Sequence, residues 1–155
     1  MRQRLILIFI FWIALISCNQ PCINATSTIS LVNFPSNETD TVIVRKFTKS
    51  ENFIKLIDTF LLDNQTSGYY QSNDTLQIIA SYKTDNGLLS YYDYEIFLPE
   101  IAKSYKISEI VEEFKSRNAG FSMTKVACIN PILSYKVNGQ LLLGEKYNST
   151  FYIRR

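Results

Sequence analysis

The sequence predicts an all-β fold, an antiparallel β-sandwich of about seven strands with one or two short helices. Three observations lead there. Short runs rich in Val, Ile, Thr, Tyr and Phe recur at hairpin spacing. Two Asn-Gly pairs, Asn86-Gly87 and Asn138-Gly139, tolerate the positive φ that tight hairpin turns demand. Several runs alternate between two faces, most clearly Tyr92 to Leu98. The size agrees: 155 residues are one domain, and 46% hydrophobic residues with ten Tyr and ten Phe are enough to enclose a core.

The first residues, "MRQRLILIFIFWIALISC", are a separate matter. Arg2 and Arg4 give a positive start, and Leu5–Ile16 is an apolar run of 12. That length suits the core of a signal peptide, whereas a transmembrane helix needs about 20 residues. The run ends in "LISC": an aliphatic residue, a variable one, a small one, then Cys18. This arrangement resembles the lipobox of bacterial lipoproteins. The resemblance implies diacylglycerol on the Cys18 thiol, cleavage before it and acylation of the new amine. Two or three acyl chains, at about 0.8 kcal/mol per buried CH₂, make a stable anchor. It implies a lipid-anchored envelope protein. With neutral Asn19 and Gln20 after the cysteine, it favours the outer membrane facing the periplasm. Ordinary secretion fits less well, because Leu15 stands where a small residue is wanted at −3. The expected organisation is residues 1–17 as signal peptide, 18–27 as a tether, and 28–155 as a single β-sandwich domain.

Cys22 and Cys128 remain. The C-x-x-x-C spacing of Cys18 and Cys22 is not that of a thiol oxidoreductase, and the chain has no histidine to complete a zinc site. In an oxidising compartment the plain expectation is a Cys22–Cys128 disulfide, with two free buried thiols as the alternative. Closing a loop of about 100 residues would contribute up to about 4.7 kcal/mol.

The elements follow in order. "TISLVNF" (28–34) alternates and reads as a strand; "PSNETD" (35–40) is turn chemistry; "TVIVRKF" (41–47) is a second strand, expected antiparallel to the first. "ENFIKLIDTFLLD" (51–63) fits a helical face through Phe53, Leu56, Ile57, Phe60 and Leu61. The short loop before it favours a strand. "TLQIIASYK" (75–83) and "LLSYYDYEIFL" (88–98) flank Asn86-Gly87 and are expected to form a hairpin, with Pro99 ending its second strand. "SYKISEIVEEFKSRN" (104–118) is read as holding a short helix from Ser108. "PILSYKVNGQLLLG" reads as a hairpin at Asn138-Gly139, and "STFYIRR" as a closing strand. Such strands at such spacing point to a sandwich, immunoglobulin-like or related.

The composition limits the chemistry. Sixteen Lys and Arg stand against 14 Asp and Glu, but Arg2 and Arg4 would be lost with the leader. The remainder is neutral, so nothing draws it to nucleic acid. Without histidine, neither a Ser-His-Asp triad nor an H-E-x-x-H site is possible, and no phosphate-binding loop or calcium loop occurs. No catalytic, cofactor or metal site is expected. Asp93 and Glu95, two apart on one strand face, are read as an outer-face pair rather than a glycosidase pair. Tyr69 and Tyr70 in an expected loop, with Tyr91, form a candidate binding patch for protein or glycan, since tyrosine joins apolar area to a polar tip. Five N-x-S/T sequons (Asn24, Asn37, Asn64, Asn73, Asn148) keep a soluble secreted glycoprotein as an alternative.

The expected role is a non-enzymatic interaction or structural module anchored through its lipid. A periplasmic module binding glycan or peptide through loop tyrosines is the alternative. The composition and "DYEIFLP…YKISEI" resemble small lipoproteins of Bacteroidota-type bacteria, which implies no particular activity.

Overall fold

The chain was analysed as a computed structural model, described over residues 19–21, 27–62, 68–72, 75–79, 88–113, 116–118, 130–146 and 148–155. It is an all-β sandwich. The first layer holds β2 (Thr28–Val32), β5 (Gly68–Ser72), β6 (Thr75–Ile79) and β12 (Thr150–Arg154), in the order β12-β2-β6-β5. The second has six strands: β3 (Val42–Thr48), β4 (Leu56–Leu62), β7 (Tyr92–Leu98), β8 (Lys103–Glu112), β10 (Ile132–Val137) and β11 (Gln140–Leu143). Their order is β11-β10-β8-β7-β3-β4 and every pairing is antiparallel. In the smaller sheet only β12 and β2 run parallel. A separate pair joins β1 (Asn19–Pro21), within the span read as a tether, to β9 (Ser116–Asn118).

One apolar cluster lies between the layers. Ile29, Leu31, Phe151 and Ile153 come from the small sheet, and Val44, Tyr94, Ile96, Leu98, Ile107 and Tyr135 from the large one. Period-two alternation delivers them, as in β7, where Tyr94, Ile96 and Leu98 are fully buried. Each fully buried aliphatic side chain contributes roughly 1.5–3 kcal/mol. Pro99 ends β7 as expected, opening a short 3₁₀ turn over Pro99–Ile101. The Asn138-Gly139 hairpin also forms, with both residues at positive φ (49° and 82°). The strand preference for 51–63 holds from Leu56 onward, and β4 pairs with β3.

Three expectations are corrected. Strands β2 and β3 are not partners but lie in opposite sheets. Phe34, fully buried and edge-on to Tyr105 at 5.8 Å, carries the connection through the core, and a 3₁₀ turn (Ser36–Glu38) completes the crossing. The expected 75–83/88–98 hairpin is absent, because β6 pairs with β2 and β5 while β7 pairs with β3 and β8. Residues 80–87, including Asn86-Gly87, lie outside the described residues. The short helix from Ser108 is instead the second half of β8. Glu109 sits at φ 50° and the β8–β10 register shifts there, so Ile107 and Ile110 are both buried although three positions apart. A β-bulge thus reproduces a helical spacing inside a strand. The described residues hold twelve strands, several of them only three to five residues long, where about seven were expected, and two short 3₁₀ helices.

Gly144, just past β11, passes so close to β10 that a methyl group there would meet the Ile132 carbonyl. Gly144→Ala is expected to cost about 1–3 kcal/mol, read as a lowered urea midpoint, because backbone rather than a mobile side chain must yield.

Candidate functional site

The turn joining β3 to β4 is held from several sides. Ser50, Asn52 and Phe53 all have positive φ (64°, 51° and 62°), a conformation uncommon for Ser and an outlier for Phe. The Ser50 amide donates to Asp93 Oδ2 at 2.8 Å, and the Thr48 amide to the Lys55 carbonyl at 3.1 Å. Lys49 turns inward, its ammonium donating to the carbonyls of Ser90 (2.8 Å) and Ile110 (2.9 Å). Phe53 meets Phe47 edge-on at 5.4 Å, and Lys106 Nζ stands 4.9 Å above its ring. Charge-assisted hydrogen bonds and a cation–π contact are among the stronger local restraints.

What this frame presents is a run of exposed apolar side chains set among exposed Glu51, Asn52 and Lys55. Ile54 is 83% exposed at the apex, and Leu56, Ile57 and Leu61 continue the exposure along β4. Among the described residues β4 is the outermost strand of the large sheet, and the side of it away from β3 is an edge to which another strand could add. Tyr91 is also exposed, and lies one residue before Tyr92, which pairs with Thr48 at the mouth of this turn.

Beside the turn, Arg45 of β3 bridges Glu95 of β7 at 2.8 Å and stacks over Phe97 at 5.2 Å. Burial pushes the Glu95 carboxyl up, but bonds from Arg45 and Ser104 and the nearby Lys106 charge outweigh it and hold it below its usual range. Glu95 is therefore a fixed carboxylate in a charged ladder. Asp93, expected on a solvated outer face, is buried, because the turn folds over it and uses it as an acceptor.

The other residues predicted for a site are dispersed. Tyr69 and Tyr70 lie on β5, not in a loop, opposite Ile78 and Gln77 in the smaller sheet, and so are not joined with Tyr91 on one element. Cys18, the expected lipid site, and the Cys22–Cys128 pair lie outside the described residues. Among the described residues no group of three or more acidic or thiol side chains is placed to hold a metal ion, and none forms a helix long and apolar enough to cross a membrane. A groove of about 200 Å³ lies beside Pro131, Leu133 and Lys146, small against the 300–1,000 Å³ usual for ligand pockets.

Sequence reasoning missed Ile54, Ile57 and Leu61. The signal was present: the run from Phe53 to Leu62 holds more apolar residues than one buried strand face can use. Compared with protein-family models, with curated proteins and with solved structures, the chain matches none.

Proposed function

We propose that this chain is a non-enzymatic interaction module of the cell envelope, held at the membrane by lipid on Cys18. The observation that carries the interaction reading is the restrained turn with its exposed Ile54: an apolar tip kept in one conformation binds without an ordering cost. The lipid reading rests on the "LISC" sequence alone. A peptide suits the neighbouring edge strand better than a glycan does, because an extended chain adds to a sheet edge through its backbone. Against the soluble-glycoprotein alternative stands Asn148, whose side-chain amide donates to Tyr152 Oη (2.9 Å) and Glu145 Oε2 (3.3 Å) and would have to give up one of the two, since a glycosylated amide keeps a single N–H.

A photo-crosslinking residue in place of Ile54, in the full chain in cells, tests the reading. Discrete adducts are expected, with none from the same probe at exposed Lys103. Equal labelling from both positions would end it. The intact mass of the same preparation checks the anchor, since it should begin at Cys18 and carry acyl chains. A glycan mass would instead make it a secreted glycoprotein.

A further inference from the structure

We propose that two copies of this chain pair edge to edge along β4, antiparallel about a two-fold axis at Thr59; this rests on the interaction reading and names the partner. The strand has seven residues, and Asp58 is its one charge; it lacks the lysine or proline that commonly blunts a free edge. Its open side is identified by one hydrogen bond. The Thr59 amide is turned away from β3 and donates to the carboxylate of its own neighbour, Asp58 Oδ1, at 2.8 Å. Thr59 therefore presents its backbone donor outward, held by a side chain that a second strand can displace. Asp58 keeps a second partner, Lys46 Nζ at 3.9 Å.

The sequence is complementary to itself about that point. Centring on Thr59 lets each copy's Thr59 exchange amide and carbonyl with the other, as in a hydrogen-bonded antiparallel pair. Ile57 then faces Leu61 of the second copy and the reverse, so side chains that are 45% and 51% exposed cover each other. Asp58 faces Phe60, and the two Asp58 residues fall on a diagonal, about 7–8 Å apart along the backbone, rather than directly opposite. A centre at Asp58 would set like charges directly opposite. A centre at Phe60 would carry the partner of Ile57 past Leu62, where the strand ends. The bulge at Ile57, where Lys46↔Asp58 steps to Phe47↔Leu56, bounds the seam. The opposite edge, β11, has only four residues, and joining it to β4 would give an open chain rather than a closed pair.

Sedimentation of the full chain in detergent tests the seam. Wild type is expected to dimerise. Ile57→Lys and Leu61→Glu, both at half-exposed positions, should each retain the sheet signal in circular dichroism and weaken the dimer at least about tenfold. Mixed together the two variants should form a heterodimer, because the introduced ammonium of one copy then faces the introduced carboxylate of the other. A monomeric wild type, open-ended polymers, or a dimer indifferent to both substitutions would overturn the proposal. Ile54 crosslinks to other proteins beside a monomeric wild type would leave the interaction reading standing and remove self-pairing alone.

Discussion

Tyr94→Ala is expected to lower unfolding stability by about 3–5 kcal/mol, a large share of the 5–15 kcal/mol typical of a domain. Tyr94 is fully buried in the middle of β7, within the inter-sheet core. Its hydroxyl accepts the Leu89 amide at 2.7 Å and donates to the Leu89 carbonyl at 3.0 Å. Next to Leu89, buried Leu88 accepts the Ser27 amide at 2.8 Å, one residue before β2 begins. One phenol thus fixes the point where the two sheets are linked. Tyr94→Phe keeps the ring and strips only the two hydrogen bonds, so about 1–3 kcal/mol is expected. Urea unfolding separates the contributions: the alanine midpoint should fall by about twice as much as the phenylalanine midpoint, or more. Equal shifts would mean that the hydroxyl, not ring packing, carries the residue. Tyr135 repeats the device on β10, accepting the Tyr152 amide (2.7 Å) and donating to its carbonyl (3.2 Å).

Faces were legible in the sequence; neighbours were not. Alternation in β7 correctly put Tyr94, Ile96 and Leu98 inward, and Asn138-Gly139 marked its hairpin because the turn chemistry is local. The choice of β7's partners is not local, since a strand with one apolar face can lie beside any other. That is why β2 and β3, adjacent in sequence with turn residues between them, end in different layers. The Glu109 bulge misled for a related reason: one extra residue converts a strand's period into a helical spacing at Ile107 and Ile110. The candidate site was least legible of all. Of the three left-handed residues in its turn only Asn52 is of a type that favours the conformation. Phe53 is held there by Phe47 and Lys106, which lie 6 and 53 positions away. Its exposed tip is a product of tertiary restraint.

The same buried tyrosines make the fold sensitive to alkali. Burial raises the Tyr94 phenol far above its ordinary 10.0; the Leu89 hydrogen bond opposes this and loses, while Tyr92, Glu112 and Asp93 add to the rise. Tyr135 is raised as well, by burial against the opposing Tyr152 hydrogen bond. A phenol with a raised folded-state value stays protonated in the fold after the unfolded chain has released its proton. Stability from these groups is therefore intact below about pH 10 and falls as pH rises beyond it. Each group subtracts about 1.4 kcal/mol per pH unit until its own folded-state value is reached. By about pH 12 Tyr94 alone should remove close to 3 kcal/mol. Urea unfolding at several pH values, with tyrosinate absorbance followed in parallel, measures this. In Tyr94→Phe the slope of stability against pH above 10 should be shallower by about 1.4 kcal/mol per unit, although the variant is less stable at neutral pH. An unchanged slope would mean that Tyr94 ionises inside the folded sandwich. That requires water to reach the Leu89 contact, and the phenol would then no longer be the dry link between the sheets that its geometry describes.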